Sequence, residues 1–236
     1  MNTFKHSGDL GDIIYSLPTI KALGGGILYL NPGKQLKSPI CGIPTKKFTS
    51  EKLIDMVRPL LEVQDYIEKV LVWDGEDVTY DLDTFRIQGN LNRTNLAEAH
   101  CKTFNVDPDV ICHQWIFNVK PKRIGGKKYV FHRSPRYHNM EFEKQYWPYY
   151  INRYHPEALF VGIEEEYKQF IEKFKCTSIP FYRVKDFLEL AEIIKGSELF
   201  VGNQSMPFAI SEGLHAHSVL EADLISNPNC NFIRKS

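Results

Sequence analysis

The sequence lacks the patterns that mark several large classes of protein. Its five cysteines are widely spaced over 236 residues and form no C-x-x-C pair, which argues against a disulfide framework and a thiolate metal site. No run of residues approaches the roughly 20 apolar positions that a transmembrane helix needs. The stretch before Gly8 is too short and too polar for a signal peptide. We therefore expect a cytoplasmic protein without a transmembrane segment.

An excess of charge of either sign is also absent, because 29 basic residues balance 29 acidic ones. The overall electrostatic field therefore gives no reason to expect a strong polyanion binder. Proline, glycine and a local basic cluster do occur together at 119–128, which is typical of an interdomain linker, with contact to nucleic-acid phosphates as the alternative. This linker predicts two domains, 1–122 and 123–236. The basic residues of the cluster are Lys120, Lys122, Arg123, Lys127 and Lys128.

The common glycine-rich nucleotide signatures, G-x-G-x-x-G and G-x-x-x-x-G-K-[ST], are missing from the opening loop. That loop instead combines small and acidic residues and leads into a run with helical spacing. Gly8 and Gly11 allow a ligand to approach the backbone closely. Asp9 and Asp12 lie at the helix start, where one carboxylate is expected to cap the helix and the other to face a cleft. For Asp12, capping and acid–base chemistry are both open.

Apolar runs and amphipathic stretches alternate along the chain and predict an α/β fold with parallel sheets. Ligands are then expected in a crevice at the carboxyl ends of the strands and between the two domains. The segment 34–47 is expected to be a surface loop of the kind that covers a site, and Pro18 is expected to bend the first helix. The predicted helices are 13–23, 50–61, 95–104, 163–174, 187–196 and a short one beginning near Pro207; the predicted strands are a short one before His6, 26–30, 70–73, 78–82, 129–132, 158–161, 199–201 and 218–220.

A second loop-to-helix junction lies at 201–208. Its small residues, and a proline near the first helical position, leave backbone N–H groups pointing outward, which is what phosphate binding requires. A purely structural turn is the alternative. The residues that form this junction are Asn203, Gln204, Ser205, Met206 and Pro207.

Charged side chains after other predicted strands are further candidates. Arg133 and Arg136 offer cations to a pyrophosphate, unless they are ordinary surface arginines. Glu221 follows a later strand and is a candidate acceptor of hydrogen bonds from ribose hydroxyls. His215 and His217 have the spacing of some metal sites, but no carboxylate–histidine partner is near them in the sequence. We predict packing or surface positions for this pair, and no metal site.

Two of these stretches carry a resemblance to a known family. The sequence GDLGDIIYSLPTIKAL at 8–23 resembles the N-terminal signature of the heptosyltransferase-type glycosyltransferases of family 9. The sequence ELAEIIKGSELFVGNQSMP at 189–207 resembles the nucleotide-sugar motif of the same family. The resemblance implies a compact form of the GT-B fold, in which two Rossmann-like parallel-sheet domains face a cleft. The first domain would then be on the acceptor side, and the second would bind the nucleotide sugar.

The resemblance implies metal-independent, inverting transfer of a sugar from a nucleotide-diphosphate sugar to an acceptor hydroxyl, without a cofactor. The acceptor stays open among a glycan, a lipid-linked compound, another hydroxyl compound and nucleic acid. Asp12 matches the family's catalytic aspartate and would be the general base, with Asp9 beside it. The implied donor-binding residues are Gly11, Arg133, Arg136, Asn203, Gln204, Ser205, Met206, Pro207 and Glu221.

The sequence also departs from the family pattern. Gln204 stands where the family usually has aspartate, and Met206 stands in place of a glycine. The chain is also shorter than a typical member. Two other functions therefore stay open: a non-catalytic module that binds a nucleotide or glycan with the same fold, and a nucleotide-sugar epimerase.

Overall fold

The computed structural model describes residues 1–33, 49–89 and 94–223. The chain divides into two compact units, Met1–Asn118 and Val119–Ser236. The division falls at the start of the predicted linker, a few residues before the predicted boundary at 122. The predicted surface loop at 34–47 lies outside the described residues.

The first unit is built on a four-stranded sheet in the order β3-β2-β1-β4, and its strand pairs are parallel. Phe4 on the central strand β1 lies opposite Leu28 on one side and Tyr80 on the other. The elements of this unit are β1 (Asn2–His6), α1 (Leu10–Ala22), β2 (Gly26–Leu30), α2 (Glu51–Glu62), β3 (Ile67–Val72), β4 (Tyr80–Asp81), α3 (Phe85–Gln88) and α4 (Leu96–Thr103).

The helices of the first unit follow from local sequence signals. Ser50 is the N-cap residue of α2, and its side chain accepts a hydrogen bond from the Leu53 amide. Helix α1 continues through Pro18, which is buried inside it, and ends before Gly24. Both helices turn apolar faces toward the sheet core, as their spacing predicts. The fully buried apolar residues of these helices include Ile13, Ile14, Leu17, Ile20, Ile54, Val57, Leu60 and Leu61.

The second unit contains a five-stranded parallel sheet in the order β7-β6-β5-β8-β9. Its elements are β5 (Tyr129–His132), α5 (Trp147–Tyr154), β6 (Ala158–Val161), α6 (Glu164–Phe174), β7 (Phe181–Tyr182), α7 (Phe187–Gly196), β8 (Leu199–Asn203), α8 (Met206–Gly213) and β9 (Ser218–Glu221). Throughout the described ranges, the helices are too short or too polar to cross a membrane.

An aromatic cluster forms the core on one face of this second sheet. Phe131 and Phe160 come from the strands, while Trp147 from α5 and Phe170 from α6 pack across them. The Trp147 ring meets the rings of Phe131 and Phe170 edge to face, which is the favoured geometry for aromatic pairs. Burial of these large rings fixes the helices on this face of the sheet.

The segment 119–128 begins where the second unit begins, and three of its basic side chains bind acidic residues of that unit while staying more than a third exposed. The Lys122 amide donates to the Glu192 carbonyl, and its ammonium group lies 2.6 Å from a Glu189 carboxylate oxygen. Arg123 pairs with Glu198, and Lys128 pairs with Glu157. The basic side chains hold the segment against the second unit because acidic partners from distant elements face them.

Three short elements are absent from the sequence-based expectation. Helix α5 follows a π-helical turn at Phe142–Tyr146, and that turn breaks the helical period in the sequence. Strand β7 has two residues, and helix α3 has four. Elements this short present too few positions for periodicity to be recognised.

Gly25 after α1 and Gly33 after β2 provide a test of how much close packing around a glycine contributes to stability. Gly25 and Gly33 have nearly equal positive φ angles, +68° and +71°. A Cβ at Gly25 would lie 2.1 Å from the Tyr66 carbonyl oxygen, whereas among the described residues a Cβ at Gly33 meets nothing within 4 Å. We expect Gly33→Ala to lower the free energy of unfolding by about 1 kcal/mol through backbone strain. Gly25→Ala should cost about 1–3 kcal/mol more because it displaces Tyr66.

Urea denaturation of both variants measures this difference. Equal losses of stability would show that the backbone angle alone matters and that the packing against Tyr66 does not.

Candidate functional site

The direction of chain progression in the first sheet reverses beside β1. The chain moves from β1 to β2 and β3 on one side, whereas β4 joins β1 on the other side. In parallel α/β sheets, ligands bind outside the carboxyl ends of the strands at this kind of reversal. The loop between β1 and α1 therefore meets the segment after β4 at the position expected for a site. The Ser7 amide donates to Asp83 across this junction, over 2.8 Å.

Asp12 lies in the first turn of α1 at this junction. Its side chain is 14% exposed, and its Oδ2 atom contacts Nη2 of Arg86 on α3. Asp9, and not Asp12, is at the N-cap position of the helix, and the Asp9 side chain makes no capping hydrogen bond. A carboxylate in the first turn is favoured by the helix dipole. The structure thus gives Asp12 a fixed position and a basic partner, and its chemical role stays a prediction.

Gly8 lies so close to the side chains of Arg86, His6 and Asp12 that a Cβ at this position would clash with them. A Cβ at Gly8 would lie 2.6 Å from Arg86 Nη2, 2.6 Å from His6 Cε1 and 2.9 Å from Asp12 Oδ2. The close approach that the sequence predicts for this glycine is therefore an approach to the protein's own side chains. Gly11 lies within α1.

Two buried histidines lie behind the junction, and their hydrogen bonds assign their tautomers. The Gly8 amide donates to Nδ1 of His6, so this neutral ring carries its proton on Nε2. Nε2 of His6 is 3.3 Å from Nε2 of His100, to which it donates. Nδ1 of His100 donates in turn to the Leu96 carbonyl oxygen over 2.8 Å. The chain of bonds connects the β1 loop to helix α4 with both rings neutral.

Burial accounts for the neutrality of this pair. Desolvation lowers the pKa of His6 from 6.5 to about 3, despite the opposing field of Asp83. Desolvation likewise lowers the pKa of His100 to about 3, although its hydrogen bond to Leu96 acts in the opposite direction. Sequence reasoning missed His100, Arg86 and Asp83, because no local pattern links them to the opening loop.

The second sheet has the same reversal beside β5. The chain moves from β5 to β6 and β7 on one side, and β8 and β9 extend the other side. The loop at 133–139 and the junction before α8 therefore lie next to each other. Asn203 joins them: its Oδ1 accepts from the Ser134 amide at 2.9 Å, and its Nδ2 donates to the Arg136 carbonyl at 2.5 Å. The structure thus brings together two of the stretches that the sequence singled out.

The junction before α8 has the predicted form. Ser205 is the N-cap residue, and Met206 and Pro207 begin the helix. The Ser205 hydroxyl donates to the Asn203 carbonyl, so it makes no capping bond to the helix. Gln204 is buried and accepts a hydrogen bond from the Asp223 amide. The first amides of a helix lack helical acceptors, so this end of α8 is suited to an anion.

The three charged donor-site candidates differ in exposure. Arg136 is exposed at the surface of the 133–139 loop. Arg133 is 7% exposed and binds Glu221, which is fully buried. A ribose hydroxyl could reach the Glu221 carboxylate only by displacing these protein donors, and that contact stays a prediction.

The described part of the chain contains no group of three or more His, Cys, Asp or Glu side chains arranged to hold a metal ion. His217 is exposed, and its Nδ1 lies 3.1 Å from the Glu198 carbonyl oxygen.

The neutral histidines predict a loss of stability in acid. Between about pH 6.5 and pH 3, His6 and His100 bind protons in the unfolded chain but stay neutral in the folded protein. The contribution of the two neutral histidines to the free energy of unfolding is therefore fully present above about pH 6.5. It falls as the pH drops, by up to about 1.4 kcal/mol per pH unit for each histidine. Urea unfolding at pH 7, 6 and 5 measures this slope. His100→Gln should reduce the slope and His217→Gln should not; an unchanged slope in His100→Gln would contradict the burial argument.

Comparisons of the sequence with models of known protein families and with curated proteins find no match. Comparison of the structure with solved structures does find similar folds. A family 9 glycosyltransferase from Veillonella parvula superposes with a TM-score of 0.56 at 10% identity, over 92% of this chain and 84% of that one. The E. coli heptosyltransferase WaaC, solved with ADP-2-deoxy-2-fluoro heptose, gives a TM-score of 0.56 at 8% identity, over 93% and 88% of the two chains.

A third similar structure is the glycosyltransferase TibC from enterotoxigenic E. coli, described as iron-containing and dodecameric. Its TM-score is 0.57 at 12% identity, and the match covers 98% of this chain but 60% of TibC. At these identities the likeness concerns the fold. The chain therefore shares the α/β fold of the family 9 and heptosyltransferase structures, which confirms the fold class expected from the sequence.

Proposed function

We propose that the protein is a glycosyltransferase that moves a sugar from a nucleotide-diphosphate sugar to an acceptor hydroxyl, with inversion at the anomeric carbon. The observation that carries the proposal is the position of Asp12. It is a partly exposed carboxylate at the reversal of the first sheet, in a fold shared with glycosyltransferases. Among the described residues, Arg86 is the hydrogen-bonding partner of Asp12, and it binds Oδ2. The second oxygen, Oδ1, is then the atom that accepts a proton.

In the proposed step, the acceptor hydroxyl oxygen attacks the anomeric carbon as its proton passes to Asp12 Oδ1. The bond from the anomeric carbon to the diphosphate oxygen breaks, and its electron pair leaves with the nucleoside diphosphate. A base that removes the proton during attack supplies typically 10²–10⁴-fold of the rate. Arg86 holds the carboxylate in place, so the base does not need to be oriented in each turnover.

The second unit supplies groups that stabilise the leaving diphosphate. Helix α8 begins at Met206, and the first amides of a helix lack helical acceptors, while Arg136 provides an exposed cation on the adjacent loop. WaaC was solved with ADP and with an ADP-heptose analogue, so ADP is the first nucleotide to test. The acceptor is a hydroxyl compound whose class the proposal leaves open.

Replacing Asp12 tests the base directly. Asp12→Asn keeps the shape of the side chain and removes its basicity, so we expect transfer to fall by about 10²–10⁴-fold. Binding of the nucleoside diphosphate should stay nearly unchanged. The matched control is Asp55→Asn, which breaks another Asp–Arg pair on α2 of the same unit. Retention of full activity by Asp12→Asn would remove Asp12 from the mechanism, and loss in Asp9→Asn instead would move the role to Asp9.

A panel of nucleotide sugars separates the proposal from its alternatives. Transfer to an added acceptor supports the glycosyltransferase. Conversion of the nucleotide sugar without an acceptor supports an epimerase. Binding without turnover across the panel supports a non-catalytic module. A thermal-shift screen identifies the nucleotide, since a ligand at 100 times its dissociation constant adds about 2.7 kcal/mol of stability.

We also propose that transfer proceeds without a metal ion, because Arg136 and the α8 amides supply positive potential for the diphosphate. Chelation provides the test. After treatment with EDTA and removal of the chelator, the rate of transfer should be unchanged, and added Mg²⁺, Mn²⁺ or Fe²⁺ should not raise it. A loss restored by one of these ions would replace this part of the proposal with a metal-assisted mechanism.

A further inference from the structure

We infer that Glu221 and Arg133 position the donor-binding loop at 133–139 instead of contacting the donor themselves. This inference rests on the proposed function, because it concerns the site that would bind the nucleotide diphosphate. It assigns a different role to two residues whose position in the sequence suggests direct contacts with ribose and pyrophosphate.

The Glu221 carboxylate accepts its hydrogen bonds from donors of the protein itself, which leaves little capacity for a ligand. It lies at the end of β9 and is fully buried. Nε of Arg133 donates to one of its oxygens at 2.7 Å, and Nη2 donates to the other at 2.9 Å. The Trp147 indole donates at 2.8 Å, and the Asn139 amide at 3.1 Å. Both oxygens are therefore occupied by donors from the protein, which come from the loop at 133–139 and from α5.

The donors to Glu221 include both ends of the loop. Arg133 is its first residue and Asn139 its last. The Asn139 side chain also donates to the Ala222 carbonyl at 2.9 Å, directly after Glu221. The end of β9 thus binds both ends of the loop, and these bonds fix the distance between the two ends.

A second carboxylate extends this arrangement outward. Nη2 of Arg133 also donates to Glu143 at 2.8 Å, and Glu143 binds Lys173 of α6 at 2.6 Å. The four charges alternate in sign from Lys173 to Glu221, so the buried arginine and the buried glutamate are both paired. Removal of Arg133 would leave the buried Glu221 carboxylate without its cation, which is the costly case for such pairs.

Asn203 fixes the middle of the loop independently. It binds the Ser134 backbone and side chain as well as the Arg136 carbonyl. Tyr137 then adopts a left-handed conformation with φ of 56°. The exposed Arg136 side chain lies between points that are held by Glu221 and Asn203. Ordering the loop before the ligand binds reduces the entropy lost on binding.

Hydrogen exchange tests the positioning role without a ligand. In Glu221→Gln we expect the Asn139 amide to exchange at least about tenfold faster, because its acceptor is altered and the loop end is released. Amides within β5 should exchange as in the parent protein. Ile179→Val, a conservative change in the core of the same unit, is the control for general destabilisation. If Glu221→Gln is too unstable to study, Arg133→Lys keeps the cation but loses the two-point contact.

Nucleotide binding distinguishes positioning from direct contact. The probes are ADP, 2′-deoxy-ADP and 3′-deoxy-ADP, with titration by calorimetry. We expect Glu221→Gln to weaken all three by the same factor, about tenfold, and Arg136→Ala to add little in that background because Arg136 acts through the ordered loop. Direct contact with ribose predicts a different result: the parent protein would prefer ADP over a deoxy analogue, and Glu221→Gln would lose that preference.

The outcomes for this inference and for the proposed function are separable. Unchanged exchange in the loop, or loss of the ribose preference, would overturn the positioning role while the glycosyltransferase proposal stands. If the parent protein binds none of ADP, GDP, UDP, CDP and dTDP, the donor site itself is overturned, and the positioning of a donor loop with it. Faster loop exchange in that case would show only that Glu221 orders the segment.

Discussion

Parallel pairing of the strands is the constraint on which both candidate regions depend. Within the described ranges, each strand pair of both sheets is parallel. A parallel connection must cross the sheet, so the carboxyl ends of the strands collect at one edge. Where the order reverses, at β1 beside β4 and at β5 beside β8, the loops diverge and leave room for side chains. Asp12 and Arg86 meet at the first reversal, and Asn203 and Arg136 meet at the second.

Sequence patterns predicted those parts of the fold whose cause is local. The helix that begins at Leu10 and the one that begins at Met206 follow turn residues with distinctive chemistry, and the buried strands are continuous apolar runs. The partners within each region could not be predicted, because they are distant in sequence: Arg86 is 74 residues from Asp12, and Glu221 is 88 residues from Arg133. Pairing at such distances is decided by sheet topology, which periodicity does not reveal.

The two units accommodate buried polar groups in different ways. In the first unit, His6 and His100 stay neutral and satisfy each other through one directed chain of hydrogen bonds. In the second, Arg133 and Glu221 keep their charges and compensate them by pairing and by additional donors. Neutral groups avoid the cost of desolvating ions, whereas an ion pair requires complete compensation but fixes geometry more strictly.

Gly8 shows that the geometry of a candidate site can depend on the absence of a side chain. The backbone passes between an ion pair and a buried imidazole through a space that accepts a hydrogen atom and nothing larger. One added methyl group would have to push apart Arg86 and Asp12, or His6 and its neighbours. Loss of the Asp12 carboxylate is therefore not the only change that would alter this region. An increase in volume at Gly8, a residue without any functional group, would also displace the side chains around it, so the geometry of this candidate site depends on a position that carries no chemistry.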